Sequence, residues 1–253
     1  APEQHESRGL TRREAVEALR DGLAEGMAEA AALGHAIVAR QIVTSMRHVA
    51  PTLDTAQLAV DFRDDSVCGF DIAGAEDGFP AARWLPAFEL LKRANMFITI
   101  HAGEAYGPGS IWEAVQLCGA DRVGHGVRIV EDIEIVDGVP VLGRLAAYVR
   151  DAQVPLEVSP SSNLQTGIAA TMGEHPVDLL KNLGFNITVN CDNRLMSRTT
   201  MSREFALLSE AFGWTLADVE RCTLAAMRAA FLPLPEREAL INDVILPAYA
   251  AAR

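Results

Sequence analysis

Met96-Phe97-Ile98-Thr99-Ile100-His101-Ala102-Gly103-Glu104 is the stretch on which the fold turns. A short run of apolar and β-branched residues predicts a strand over Met96 to His101. It ends without a break in an imidazole, a glycine and a carboxylate. Nearly continuous apolar strands of this kind belong to parallel sheets that are covered on both faces.

The same pattern recurs along the chain. Strand-like runs cover Ala36 to Val43, Val67 to Ile72, Arg122 to Gly126, Pro155 to Val158 and Phe185 to Asn190. Helical patterns alternate with them. Thr11-Arg12-Arg13-Glu14 forms a capping box ahead of Val16, Leu19 and Leu23. Further helices are expected from Asp54, over Pro80 to Arg93, from Ser110 as cap through Leu117, over Val141 to Arg150 and over Pro176 to Leu183. Three more follow the last strand, over Ser202 to Phe212, Thr215 to Phe231 and Glu236 to Ala251. This alternation predicts an α/β fold with a parallel sheet, doubly wound or closed as a barrel. No linker or low-complexity stretch divides the chain, so residues 1–253 read as one domain. No Gly-rich phosphate turn follows the first strand, which argues against dinucleotide binding.

The bulk numbers limit the partners. The 253 residues carry a formal net charge of −12 and are 49% hydrophobic. Such a surface repels polyphosphate, so no nucleic acid partner is expected. No long apolar span or signal peptide appears, which gives no reason to expect a membrane partner or secretion. Cys68, Cys118, Cys191 and Cys222 form no Cys-x-x-Cys pair and read as buried thiols of a reducing, cytoplasmic compartment.

Chemistry gathers at the strand ends. The runs end in His101 and Glu104, in His125, in Ser159-Pro160-Ser161-Ser162-Asn163, and in Cys191-Asp192-Asn193. Taken singly, His125 reads as a hydrogen-bonded structural residue, Asp192 as a cap or turn former, and Glu104 as a solvated carboxylate. Together they place two imidazoles and two carboxylates on one rim, where α/β sheets build their sites. Imidazole and carboxylate are zinc ligands, and a spare carboxyl can move protons. His5, His35, His48 and His175 stand alone and read as structural or surface residues.

His101-Ala102-Gly103-Glu104, Gly124-His125-Gly126, Ser162-Asn163 and Asp192 resemble the adenosine deaminase family in order and spacing. Ser45-Met46-Arg47-His48 and Gly69 to Gly74 resemble that family's third and fourth strands. The resemblance implies a TIM (β/α)8-type barrel and hydrolytic deamination of adenosine or 2′-deoxyadenosine in purine salvage, with one zinc ion as cofactor. It also implies roles. His101 and Asp192 match zinc ligands, and Glu104 the acid that protonates purine N1. His125 matches the residue that holds or deprotonates the water on the metal. Gly74 matches a backbone donor to N3, and Ser162 a hydroxyl beside the metal. Asn193 stands where many members carry an aspartate facing N7, and its amide donates at any pH. The purine nucleoside is the implied partner.

One departure bears on activity. The family takes two further zinc ligands from a His-x-His pair on its first strand, and the 253 residues contain none. Ala1 to His5 resembles the end of the family's second strand. The expectation is therefore a barrel lacking its first strand and most of its second, with at least one βαβ unit of roughly 30 residues or more upstream. An open seam predicts self-association. Three other readings stay open: a deaminase of another 6-aminopurine compound, an inactive barrel that binds purines weakly or only folds, and a phosphate-binding barrel built on Gly103, Gly107 and Gly109.

Overall fold

The computed structural model describes residues 1–253. The strands are β1 (Gln41–Met46), β2 (Val67–Ala73), β3 (Phe97–Ala102), β4 (Arg122–His125), β5 (Ile133–Val136), β6 (Val139–Leu142), β7 (Leu156–Val158) and β8 (Ile187–Val189). Six of them form one sheet in the order β1-β2-β3-β4-β7-β8. Every pair in it is parallel. The chain is thus α/β, with six neighbouring staves of a barrel in sequence order, as expected of the (β/α)8 type.

Burial explains the strands. β2 is buried along most of its length, through Phe70, Asp71 and Ile72, while β1 alternates, with Gln41, Val43 and Ser45 inward. A core of 36 buried residues joins the strands (Ile98, Ile100, Val123, Leu156, Ile187) to helical residues such as Phe88, Leu91, Val149 and Leu180. At roughly 25 cal/mol per Å² of apolar surface, this burial is the main force holding helices to sheet. Because the staves are parallel, their C-terminal ends share one rim.

Ala1 to His5 is not a strand end. Pro2–Arg8 is a 3-10 helix closed by Gly9 at φ 87. Its Glu3 carboxylate accepts the Met46 N–H at 2.7 Å, so a side chain occupies the edge of β1 there. The sheet therefore holds six strands with no remnant of a seventh. The first strand begins at Gln41, where pairing with Val67 starts, and the preceding Ile37 and Val38 are exposed.

Ser110 is not a cap. The helix starts at Pro108 after Gly107, Ser110 is buried inside it, and a π-type turn continues it to Cys118. Proline suits the first helical position because its missing N–H would be unpaired there anyway. Pro80 to Arg93 divides into a 3-10 turn, Ala81–Trp84, and a helix, Leu85–Arg93. The helix expected from Val141 begins at Arg144, because β5 and β6 form an antiparallel hairpin. Its turn is Asp137-Gly138, both left-handed at φ 50 and 80, which matches the twist of paired strands.

The capping box stands as read. Thr11 Oγ1 accepts the Glu14 N–H, and the Glu14 carboxylate accepts the Thr11 N–H. All four cysteines are free thiols. No helix is long and apolar enough to cross a membrane.

Candidate functional site

Four strand ends deliver the expected side chains to one place. β3 carries His101 and runs on to Glu104, and β4 ends at His125. β7 leads into a short helix, Pro160–Gln165, that holds Ser162 and Asn163, and Asp192 follows β8. His125 Nε2 lies 3.5 Å from Glu104 Oε2 and 3.9 Å from Asp192 Oδ2. The His101 and His125 rings meet edge to face, with centroids 5.3 Å apart. Ser162 Oγ donates to Asp192 Oδ2 at 2.7 Å.

The backbone is bent to make this convergence. His125 and Asp192 have φ 61 and 53, left-handed values that histidine and aspartate adopt more readily than most residues. Such conformations cost of order 1–3 kcal/mol each and cluster at functional sites. Gly124 is needed for a different reason. A Cβ there would stand 3.1 Å from His101 Cα and 3.2 Å from its ring, so glycine lets the His101 side chain lie across β4.

His101 is oriented from behind by a residue that the sequence reading passed over. Asp71, buried on β2, places its carboxylate 2.9 Å from His101 Nδ1 and accepts the His101 N–H at 3.3 Å. Burial works against charge on the imidazole, but the Asp71 carboxylate outweighs it, and the group is pushed up to about 9. The local field therefore favours a cation. With Nδ1 engaged, Nε2 is the nitrogen free to meet an ion, and a carboxylate behind a histidine is the usual support of a metal ligand. Donor chemistry thus fits zinc at His101 and Asp192. In number the site falls short: no group of three His, Cys, Asp or Glu closes around one point, whereas catalytic zinc takes three protein ligands.

A second carboxylate missed in the sequence holds the loop that carries Glu104. Glu76 is buried and accepts four consecutive backbone N–H groups: Gly103 at 2.6 Å, Glu104 at 3.1 Å, Ala105 at 2.7 Å and Tyr106 at 3.0 Å. Arg128 Nε donates to the Glu104 carbonyl at 2.7 Å and fixes the loop's other side. This arrangement also weighs against the phosphate-binding reading. The Gly103 N–H and the three that follow it already hold the protein's own anion, Glu76.

The other expected residues sit as follows. Gly74, just past β2 at φ 94, is exposed, and a Cβ there would meet Met46 Cε at 2.7 Å and His48 Nδ1 at 3.2 Å. Asn193 is exposed, and its Oδ1 caps the Arg194–Ser197 helix through the Met196 N–H, leaving its amide nitrogen to donate. His5, His35 and His48 are exposed, but His175 is buried. Arg47, fully buried beneath the site, donates to the His101 carbonyl at 3.1 Å. Burial lowers its pKa while Glu76 and Asp71 oppose that shift. His125 is also pushed down, by burial first, with Glu104 pulling the other way.

The chain is similar to known proteins over nearly its whole length. The family model described as adenosine deaminase matches residues 1–247. Adenosine deaminase 1 of Streptomyces coelicolor is 58% identical over 251 residues, which are 99% of this chain and 63% of the relative. The chain thus spans under two thirds of that relative's length. Among solved structures, adenine deaminase from Arthrobacter aurescens superposes with a TM-score of 0.82 at 22% identity, covering 96% of this chain and 70% of that one. An amidohydrolase from Burkholderia ambifaria with bound zinc gives 0.74 at 25% identity, covering 89% and 60%.

Proposed function

The chain belongs to the adenosine deaminase family, and on that premise we propose that it carries the catalytic rim of an aminohydrolase converting adenosine or 2′-deoxyadenosine to inosine or 2′-deoxyinosine and ammonia. The observation that supports this most is the convergence of His101, Glu104, His125 and Asp192 from separate strand ends, with His125 standing 3.5 and 3.9 Å from the two carboxylates. One core cluster runs through all six staves, which supports reading residues 1–253 as one domain. Free cysteines suit a cytoplasmic enzyme of purine salvage.

In this proposal His101 and Asp192 hold one zinc ion through the imidazole Nε2 and the carboxylate. Two donors are short of the three that catalytic zinc takes, and the family resemblance implies a His-x-His pair as the further donors. When bound, zinc supplies a water acidic enough to give hydroxide near neutral pH. The protein's own groups do the rest. Glu104 delivers a proton to purine N1, so that negative charge does not build on the ring as the amino-bearing carbon is attacked. His125 stands beside the attacking oxygen. Ser162 fixes the Asp192 carboxylate by its 2.7 Å hydrogen bond. The Gly74 N–H donates to N3 and the Asn193 amide to N7, both acceptors.

A second reading is supported by the absence of any three-fold donor group: these residues alone fold, bind purines weakly and do not turn them over. One experiment separates the two. The chain is titrated with zinc and the loss of adenosine absorbance followed, then both are repeated with an appended N-terminal segment bearing His-x-His. Turnover by the chain alone defeats the inactive reading. No turnover in either form defeats the deaminase proposal. The same assay run with adenine and with N6-substituted adenosines fixes the substrate.

A further inference from the structure

Behind His125 lies a buried line of hydrogen bonds that the deaminase reading does not use. Asn163 Nδ2 is 2.9 Å from His125 Nδ1, and His175 Nε2 is 3.2 Å from Asn163 Oδ1. The line ends at the Val177 backbone N–H, which donates to His175 Nδ1 at 3.0 Å. We infer that Asn163 and His175 are positioning residues that fix His125 in the tautomer with its proton on Nε2, facing the site.

The direction follows from one group that cannot change roles. A backbone N–H only donates, so His175 Nδ1 must offer its lone pair and the proton of the neutral ring sits on Nε2. That proton goes to Asn163 Oδ1, which sets the orientation of the amide. The Asn163 NH2 then points at His125 and donates to Nδ1, so Nδ1 bears no proton. The proton of neutral His125 is left on Nε2, toward Glu104 and Asp192.

The alternatives cost unpaired buried donors. Turning Asn163 over would require a proton on His125 Nδ1 and a lone pair on His175 Nε2. The His175 proton would then lie on Nδ1, against the Val177 N–H. Water cannot relieve that clash, because His125, Asn163 and His175 are 3%, 0% and 2% exposed, and a buried unmet donor is expensive. The backbone gives no slack either, since the Asn163 N–H donates to Ser159 at 2.8 Å and its carbonyl accepts from Ile168 at 2.9 Å. Burial also pushes His175 down to about 4, which keeps it neutral, as the line demands.

The consequence is chemical. At neutrality His125 presents an N–H, not a lone pair, toward the Glu104 and Asp192 carboxylates. It acts there as a hydrogen-bond donor. That meaning for catalysis rests on the deaminase proposal, whereas the tautomer assignment stands on the hydrogen bonds alone.

The test is a long-range proton–nitrogen NMR correlation on the full chain labelled with 15N at its six histidines, without zinc, so no activity enters. Both His125 and His175 should show a pyridine-type Nδ1 and a pyrrole-type Nε2. A pyrrole-type Nδ1 at His125 overturns the inference without any variant. Asn163→Asp offers only acceptors, so His125 should gain a proton on Nδ1 while His175 is unchanged. His175→Leu frees the Asn163 amide, and His125 should become a mixture of tautomers. An unaltered His125 spectrum in either folded variant would show that the line does not set its tautomer. Correct tautomers without turnover after ligand restoration count against the deaminase proposal only; turnover with the opposite tautomer counts against this inference only.

Discussion

Replacing Glu76 by glutamine tests how far the Glu104 loop depends on a single carboxylate. In the native arrangement Oε1 receives Gly103 and Oε2 receives Glu104, Ala105 and Tyr106, at 2.6 to 3.1 Å. A glutamine keeps most if its carbonyl oxygen takes the Oε2 position. Its NH2 then faces the Gly103 N–H, and two donors oppose each other in a buried place. The three surviving bonds lose their charge assistance, which roughly doubles the strength of such bonds. With hydrogen bonds to charged groups worth about 1.5–3 kcal/mol, one lost outright and three halved should cost about 4–7 kcal/mol. For a chain of this size that is a fall in Tm of about 8–28 °C. Urea unfolding should show a lower midpoint at unchanged slope, and amide exchange at residues 103–106 should accelerate. Glu76→Asp, which keeps the charge, should lie between the two. A Glu76→Gln midpoint that moves by less than about 0.5 kcal/mol, the scatter of an ordinary surface change, would refute the assignment of the loop to this carboxylate.

Other outcomes follow from the same geometry. His175 has a folded pKa near 4 against about 6.5 in the unfolded chain, so below pH 6.5 only the unfolded state takes up its proton; stability should fall by about 3 kcal/mol between pH 6.5 and 4 and level off below that. His175→Gln should remove this share of the acid slope in pH-dependent urea melts, and an unchanged slope would count against it. Asp71→Asn removes the charge that outweighs burial at His101, so the His101 midpoint, near 9 in the native chain, should drop below its ordinary value in an NMR titration; a midpoint that stays high would give the role to another carboxylate. Gly103→Ala sets a Cβ 2.5 Å from Ile111 Cδ1 at φ 71 and should cost about 2–4 kcal/mol, measured by calorimetry, with a wild-type Tm as the refuting result. β1 and β8 each pair on one side only, and such edges invite pairing; light scattering should report dimers or larger species, and a monodisperse monomer would oppose that.

The strands were legible because buried parallel strands write themselves as apolar runs, and the rim residues because each follows such a run directly. His101, Glu104, His125 and Asp192 therefore stood out before any contact was known. Asp71 and Glu76 did not. Their effect reaches ring and backbone atoms about thirty residues away, 30 for Asp71 and 27 or more for Glu76, and nothing local marks a carboxylate as an internal anion. His175 stands alone in the sequence for the same reason: its partner Asn163 is 12 positions back on the Pro160–Gln165 helix, whereas His175 lies between helices. The hairpin is hidden in a different way. Asp137-Gly138 is a strong turn signal between apolar flanks, but the helical spacing after Val141 overlaps the second strand. At Pro2–Arg8 the stretch holds no β-branched residue to favour a strand, and it forms a 3-10 helix.

The left-handed backbone at His125 and Asp192 has a practical bearing on mutational scanning. Any library saturating those two codons passes first through a conformational filter, in which glycine and asparagine survive and valine, isoleucine and threonine fail before their chemistry is scored. Alanine, the customary blank, mixes a backbone penalty into its reading. Asparagine is the fairer blank at both positions, and a fitness map that ignored this would mistake torsional intolerance for reactivity.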